Sequence, residues 1–314
     1  MGLTTSSTPA TASTTPAAPA GGAAAGAGAG NLPPHLQRAM SRVTEISSLP
    51  EITTRIVEVV EDPRATAHEM HEIVKNDPAL AAKILKVVNS AFYGLPAQIA
   101  SLDRAIVMLG LSAVKNIALA ASLARLFRPG TLGDRFTARD LWRHCIAVGV
   151  CGRMLTKVAI GIQNDEAFVA GLVHDMGLLL EYQLFPDQLR VVVDRCTGAP
   201  GKYCATETEV IGADHQQFGS ALAAKWKFPP MLRCVIGYHH NPRALKPEYQ
   251  RVASLVCVSD TICCAQQHGF WLTGVDQQIE PWMLETINVP TNALDDIRAN
   301  LPAQVEEAER VFSD

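Results

Sequence analysis

Signals that begin an α-helix recur along this chain, whereas the alternation of apolar and polar residues that is typical of β-strands is nearly absent. Thr66–Glu69 and Thr206–Glu209 each match a capping box, in which a hydroxyl and a carboxylate three residues apart satisfy free amide groups at a helix start. Asp77-Pro78 places a cap before a proline at the first helical position, where the missing N–H of proline costs nothing. Apolar residues follow Thr137 with helical spacing. These patterns predict an all-α protein made of two packed helical subdomains.

Composition divides the chain into four segments. The first 30 residues are dominated by Ala, Gly, Ser, Thr and Pro and carry no charge, so we predict a disordered tail over 1–34 that lacks the basic start and leucine-rich core of a signal peptide. A loop containing Pro129-Gly130 separates a helical subdomain at 35–130 from a second one at 131–270. A C-terminal helical extension spans 271–314, and we expect its last helix to cover the domain.

Charge and cysteine usage exclude several classes of protein. The net charge is −4 and no basic run occurs, which argues against partners such as nucleic acid and anionic membranes. Apolar stretches are too short or too interrupted to span a membrane. The eight cysteines form no C-x-x-C pattern, and several lie in apolar helical patterns. We therefore predict a cytoplasmic protein with reduced, buried thiols.

The apolar run Ala167–Gly177 is interrupted near its end by the adjacent pair His174-Asp175. Neutral imidazole and anionic carboxylate oxygen are both good ligands for divalent metals, so the pair is a candidate metal site. Taken alone, the dipeptide is better explained as two polar residues that cap a helix end, because short motifs often match by chance. Its interpretation therefore depends on where the other histidines lie.

Five of the nine histidines fall in the second half of the chain, at predicted helix ends or on helical faces. Together with two aspartates they form a set of seven nitrogen and oxygen donors, namely His144, His174, Asp175, His215, His239, His240 and Asp260. Packed helices can direct such residues to one centre that holds one or two ions. Iron, manganese, zinc, nickel and magnesium all remain possible cofactors. Polar core residues without any metal are the alternative.

The order of these residues resembles a known superfamily. His144, then His174-Asp175, then Asp260 resembles the HD superfamily of all-helical metal-dependent phosphohydrolases, and His215 with His239-His240 falls as in its HD-GYP branch, which cleaves cyclic di-GMP. The chain is more similar to the HDOD family over about residues 45–270. The motifs that carry this resemblance are Leu49-Pro50, Asn76–Leu80, Val88–Gly94, Ser101–Ile106, Leu109–Leu111, Asn116–Leu119, Leu141–His144, Ala170–Gly177, Gly212–His215 and Trp226–Pro229.

This resemblance implies an HD-like helical bundle for the second subdomain and a regulatory role in bacterial signalling. It implies that His144, His174, Asp175 and Asp260 are core metal ligands, with His215, His239 and His240 completing a second position. Two departures from the HD-GYP pattern bear on catalysis. Leu178 stands where HD-GYP enzymes have a lysine, and Asn241 stands where they have a glutamate. No Gly-Tyr-Pro signature is present either.

Two functional hypotheses follow. The first is a non-catalytic signalling module that recognises a protein partner or a nucleotide through the groove between its halves, in cyclic di-GMP signalling or a related system. The second is a metal-dependent phosphohydrolase or phosphodiesterase of HD-GYP type that acts on a cyclic or linear nucleotide, with Asp175 as the candidate catalytic residue. A purely structural metal site, or none at all, is a third possibility.

Overall fold

A computed structural model of the chain describes residues 32–42, 50–127, 132, 135–159, 161–199 and 202–312. Most of the predicted tail and the predicted boundary loop at Pro129-Gly130 lie outside these residues, as does Leu49. The described part of the chain is helical and contains no extended β-strand, as the helix-start signals predict.

Six α-helices form the first half. Two of their starts follow the predicted caps: Thr66 and Glu69 make a complete capping box, and the Asp77 side chain accepts from the Leu80 amide at 2.9 Å. Gly110, with φ of +87°, separates two of these helices. The six helices are α1 (Pro34–Arg42), α2 (Glu51–Glu61), α3 (Ala67–Val74), α4 (Pro78–Val88), α5 (Leu102–Leu109) and α6 (Leu111–Leu123).

Ten more α-helices follow in the described chain. They are α7 (Ala138–Leu155), α8 (Asn164–Val173), α9 (Gly177–Leu184), α10 (Pro186–Gly198), α11 (Tyr203–Val210), α12 (His215–Lys225), α13 (Pro230–Tyr238), α14 (Pro247–Ala265), α15 (Pro281–Ile287) and α16 (Ala293–Phe312). Short 3-10 helices span Ala124–Leu126 and Pro242–Ala244. Helix α7 packs against α8, α14 and α16, so it forms the axis of the second half.

One continuous apolar core joins the two halves. Helix α6 packs against α2, α4 and α5 on one side and against α8 on the other. Phe92 from the first half lies 5.3 Å from Phe168 of α8, measured between ring centroids. The Tyr93 hydroxyl donates to the Asp165 carboxylate at 3.0 Å. Because buried aromatic rings contribute large apolar areas, these contacts make the halves one cooperative unit.

The last helix of the C-terminal segment packs on the second half. Helix α16 packs along α7, and Arg143 pairs with Glu309 at 2.7 Å. Phe312 is buried against Phe168, with ring centroids 5.1 Å apart. No helix in the described ranges is both long and apolar enough to cross a membrane.

The capping box predicted at Thr206–Glu209 is wrong. Helix α11 begins at Tyr203, three residues earlier, so Thr206 lies inside the helix and its hydroxyl donates to the Lys202 carbonyl. Glu207 is consequently free of any capping role and turns into the protein interior, where it is fully buried. The pattern was ambiguous because Thr and Glu three residues apart also occur on one face of a continuous helix.

Candidate metal centre

The structure brings all seven predicted donors together. They come from five regions of the second half: α7 (His144), the turn after α8 (His174 and Asp175), the start of α12 (His215), the turn after α13 (His239 and His240) and α14 (Asp260). Six of the seven side chains have no solvent-exposed surface, and that of His240 is 9% exposed. Because burial of unpaired polar groups is costly, this convergence requires a chemical reason.

Local sequence explains how the residues reach the centre. Asp214 caps α12 by accepting from the Gln217 amide at 2.9 Å, and this cap places His215 at the first helical position. Gly177 opens α9 directly beside it, and a Cβ atom there would overlap the His215 carbonyl oxygen. The glycine after the His-Asp pair therefore permits the close approach of α9 and α12 that seats His215.

Four donor atoms surround a first position. The His144 Nε2 atom lies 3.0 Å from Asp260 Oδ1 and 3.7 Å from Asp175 Oδ2. The His174 Nε2 atom lies 3.4 Å from Asp175 Oδ2 and 3.8 Å from Asp260 Oδ1. Two imidazoles thus face two carboxylates.

Four donor atoms also surround a second position. Asp175 Oδ1 lies 3.3 Å from both His215 Nε2 and His239 Nε2. The His215 Nε2 atom is 3.4 Å from His239 Nε2 and 3.0 Å from His240 Nε2. Asp175 belongs to both positions, with one carboxylate oxygen directed to each, so it is placed to bridge two ions.

These spacings fit metal coordination. When each ligand atom lies about 2.1 Å from an ion, adjacent ligand atoms are about 3.0 Å apart in an octahedral site and about 3.4 Å apart in a tetrahedral site. The second position, with separations of 3.0–3.4 Å, matches these values, and the first, with separations of 3.0–3.8 Å, is slightly wider. Nitrogen and oxygen donors in this number suit iron, manganese, zinc or nickel, whereas magnesium prefers more oxygen ligands.

The outer hydrogen bonds of the histidines point to the same conclusion. Backbone carbonyls accept from three of the rings: His144 Nδ1 donates to His268 at 3.1 Å, His174 Nδ1 to Gly171 at 2.6 Å and His239 Nδ1 to Val235 at 3.2 Å. In the neutral ring each Nε2 atom then carries a lone pair directed into the cluster. Metal-ligating histidines are held in this way.

Several of these inward atoms have no hydrogen-bond partner among the described residues. They are Nε2 of His144, Nε2 of His174, both oxygens of Asp175 and Oδ2 of Asp260. Lone pairs and carboxylate oxygens at such short separations repel one another unless a cation lies between them. The residues present therefore fit one or two divalent ions.

Buried glutamates lie next to His215 on the side of the ring that faces away from the metal positions. Its Nδ1 atom lies 2.8 Å from Glu207 Oε2, and its backbone amide donates to the same oxygen at 3.2 Å. Glu181 of α9 is also fully buried, and burial together with the Glu207 carboxylate raises the pKa of Glu181 well above its ordinary value. Burial and the Glu207 carboxylate thus both favour the neutral form of Glu181, and Glu207 is the acid that contacts His215.

Electrostatics differ between the two positions. Burial lowers the pKa of His174 to about 4, which keeps this ring neutral. Burial also lowers the pKa of His215, but the Glu207 and Asp175 carboxylates outweigh it and raise the pKa to about 10. Burial raises the pKa of Asp175, yet the surrounding histidines hold it well below its ordinary range. The centre thus keeps its aspartates ionised, and in the metal-free protein it holds a proton on His215.

Comparison with known proteins identifies the family. Residues 46–242 match the sequence model of the HDOD domain. The chain belongs to the HDOD family. Its sequence is also 24% identical over 221 residues to an uncharacterized protein of Treponema pallidum (strain Nichols). That match covers 70% of this chain and 42% of the other, so the HDOD protein spans less than half the length of this curated relative.

Solved structures share the fold. A crystal structure of an HDOD domain protein of unknown function from Geobacter sulfurreducens matches with a TM-score of 0.75 and 21% identity, over 88% of this chain and 96% of that one. A candidate signal transduction protein from Marinobacter aquaeolei VT8 matches with a TM-score of 0.72 and 21% identity, over 91% of this chain and 68% of that one. A candidate phosphohydrolase from Shewanella amazonensis SB2B matches with a TM-score of 0.68 and 23% identity, over 88% of this chain and 97% of that one. At these identities the similarity establishes the fold only.

Sequence reasoning placed the seven inner residues of this HDOD protein but missed the groups around them. Glu207 lies inside the predicted capping box Thr206–Glu209 but has no role in it, and Glu181 and Gln277 show no recognisable pattern. His268, which was left outside the set, contributes its backbone carbonyl to His144. A backbone carbonyl gives no signal in a sequence, because every residue has one.

Proposed function

We propose that this HDOD protein is a metal-binding regulatory module of bacterial signalling that acts by binding a protein partner and does not turn over a substrate. The observation that carries the proposal is the closed state of the metal centre. Six of its seven donors have no exposed surface, so a phosphodiester cannot reach them in this conformation. A divalent ion bound there supplies Lewis acidity toward a phosphoryl oxygen only if that oxygen can approach.

The residue after Gly177 supports the same proposal. Leu178 is fully buried where HD-GYP enzymes have a lysine that could hold substrate phosphate. The hydrogen bonds and ion pairs described for the seven donors come from carbonyls, carboxylates, amides, the Cys264 thiol and other members of the cluster. The centre is therefore built to hold cations rather than the anionic groups of a substrate.

A cavity between the halves is a candidate partner site. It measures about 460 Å³ and is lined by residues of α2 and of the turn after α12, including Val57, Glu58, Asp62, Trp226 and Lys227. Two carboxylates against one ammonium group disfavour a nucleotide phosphate and favour a neutral or cationic group. The cavity thus supports a protein partner with a basic or amide side chain over a nucleotide ligand.

The alternative is a metal-dependent phosphohydrolase, and a specific observation favours it. Both positions have a full set of four donors, and Asp175 is placed to bridge them as in two-ion hydrolases. His240, the one partly exposed donor, marks the side from which a substrate would enter if the centre opened.

Metal content and turnover together test the proposal. We expect about one or two equivalents of a divalent metal in the purified protein, measured by elemental mass spectrometry, and loss of metal in His174→Ala and Asp175→Ala. His71→Ala is a matched control, because His71 is exposed and pairs with Asp103 far from the centre. The metal-loaded protein should not hydrolyse cyclic di-GMP or bis(p-nitrophenyl) phosphate.

Turnover that disappears in Asp175→Ala would instead establish the hydrolase. Failure to bind iron, manganese, zinc or nickel after reconstitution would overturn both metal-based functions.

A further inference from the structure

The segment 266–280 closes one side of the metal centre, although it lies beyond the residues that match the family model. The His268 carbonyl accepts from His144 Nδ1 at 3.1 Å. Gly274 packs so tightly that a Cβ atom there would lie 2.7 Å from Asp260 Oδ2. As placed in the structure, the Gln277 amide nitrogen Nε2 lies 2.6 Å from His240 Nδ1. This single segment therefore contacts donors of both metal positions.

The contacts of Gln277 fix which ring nitrogen of His240 carries the hydrogen. The amide oxygen Oε1 lies 3.3 Å from Thr261 Oγ1. The Thr261 hydroxyl has one hydrogen, and the Cys257 carbonyl, at 2.8 Å, is the nearer of its two possible acceptors and takes that hydrogen. Thr261 can therefore only accept from Gln277.

An acceptor at Thr261 requires the amide nitrogen of Gln277 on that side. A rotation of 180° exchanges the oxygen and nitrogen positions of the amide without moving other atoms. With this orientation Nε2 donates to Thr261, and Oε1 accepts from His240 Nδ1. Both contacts are then satisfied, whereas the opposite orientation places two acceptors, Oε1 and Oγ1, against each other.

The tautomer of His240 determines whether this ring can act as a ligand at the second metal position. When Nδ1 of His240 carries the hydrogen, its Nε2 atom has a free lone pair, and that atom lies 3.0 Å from His215 Nε2. The His240 backbone amide also donates to Gln216 Oε1 at 3.1 Å, which holds the residue in place. His240 is thus oriented as His144, His174 and His239 are, except that a side chain replaces the backbone carbonyl.

We infer that Gln277 is a positioning residue for the second metal ion: its amide oxygen holds His240 in the tautomer that presents Nε2 as a ligand. The inference rests on the proposed metal-binding function and extends it to a residue of the C-terminal segment. Outer partners of metal-ligating histidines typically contribute 10- to 100-fold to metal affinity.

Cobalt titration of the full chain tests the inference. We expect two Co²⁺ equivalents in the wild type, followed by visible absorption, and in Gln277→Ala an unchanged first equivalent with a second that binds about 10- to 100-fold more weakly. Gln277→Glu keeps an acceptor for His240 Nδ1 and should retain the second equivalent. Gln278→Ala is the matched control, because Gln278 is the exposed neighbour of the same residue type. Equal binding of the second equivalent by Gln277→Ala and the wild type would overturn the inference.

A second measurement keeps the inference separate from the proposed function. In metal-free protein labelled with ¹⁵N-histidine, long-range ¹H–¹⁵N spectra report the tautomer of His240, which is assigned by comparison with His240→Gln. We expect Nδ1–H in the wild type and loss of that preference in Gln277→Ala. Protonation at Nε2 in the wild type contradicts the role of Gln277, whereas absence of cobalt binding with Nδ1–H present contradicts only the metal-binding function.

Discussion

At the scale of the residue, Asp175 and His215 define the chemistry of the centre. Asp175 directs one oxygen to each metal position, so its loss affects both. His215 connects the second position to Glu207, and this carboxylate raises the affinity of His215 for a proton as well as for a metal. Protons and metal ions therefore compete for the same nitrogen.

This competition predicts a pH dependence. The pKa of His215 in the folded metal-free protein is about 10, compared with 6.5 ordinarily, so metal binding between these values should release about one proton from this residue. Apparent metal affinity should then rise up to tenfold per pH unit. Calorimetric titration at pH 8 in buffers of different ionisation enthalpy measures the proton release. Glu207→Gln should reduce it, while Glu209→Gln, whose carboxylate pairs with Arg195 at the surface, should not.

The same shift determines how the stability of the metal-free protein changes with pH. Because the folded-state pKa of His215 is raised, its proton stabilises the fold below about pH 6.5, and this contribution is lost as the pH rises through 10. If the wild type and Glu207→Gln released equally many protons on metal binding, the Glu207 carboxylate would not be the cause of the raised pKa of His215.

At the scale of the element, the crossing of α9 and α12 decides whether the second position can form. Gly177 lies against the first turn of α12, where any side chain would overlap the backbone of His215. The crossing is therefore set by backbone contact rather than by interdigitating side chains. Elements that meet so closely cannot adjust to added atoms without moving the residues they carry.

Gly177→Ala should consequently destabilise the metal-free protein by about 1–3 kcal/mol and weaken metal binding at the second position. Urea unfolding measures the first effect and cobalt titration the second. Gly198→Ala is the matched control, since a Cβ at the end of α10 meets nothing within 4 Å. That change should stabilise by up to about 1 kcal/mol or be neutral. Similar unfolding free energies for the two variants would show that α9 and α12 can separate without cost.

At the scale of the whole molecule, the C-terminal helix links the two halves. Phe312 near the end of α16 contacts Phe92 from the first half and Phe168 from the second, with centroids 6.1 Å and 5.1 Å away. Arg153 lies over the Phe92 ring at 4.0 Å from its centroid. The extension is therefore part of the common core and not an appended segment.

Phe312→Ala should lower the free energy of unfolding by about 3–5 kcal/mol while leaving a single transition. Denaturant unfolding followed by circular dichroism and by tryptophan fluorescence measures both properties. Val107→Ala removes methyl groups from a side chain that is 73% exposed, so it should change stability by less than about 0.5 kcal/mol. A loss below about 1 kcal/mol for Phe312→Ala would mean that α16 is not part of the cooperative unit.

The sequence by itself determined the helical class, most helix starts and the seven inner donors. Caps such as Thr66 and Asp77 act on amides within three residues, so their effect is readable locally. The donors were recognisable because histidine and aspartate seldom recur on successive apolar helices unless they share a site. The prediction that failed clearly is the capping box at Thr206–Glu209. This pattern fits both a helix start and the interior of a continuous helix, and in the structure it lies inside helix α11, which buries Glu207 beside His215.

Only the tertiary structure decided how the donors divide into two positions and what surrounds them. Asp175 directs one oxygen to each position because α8, α12 and α13 meet at its two oxygens, and no spacing along the chain encodes that meeting. Gln277 reaches His240 across 37 residues, and the His268 carbonyl reaches His144 across 124. Side-chain and backbone contacts between distant segments depend on packing of the whole core, and packing is a property of the folded chain rather than of any stretch of it.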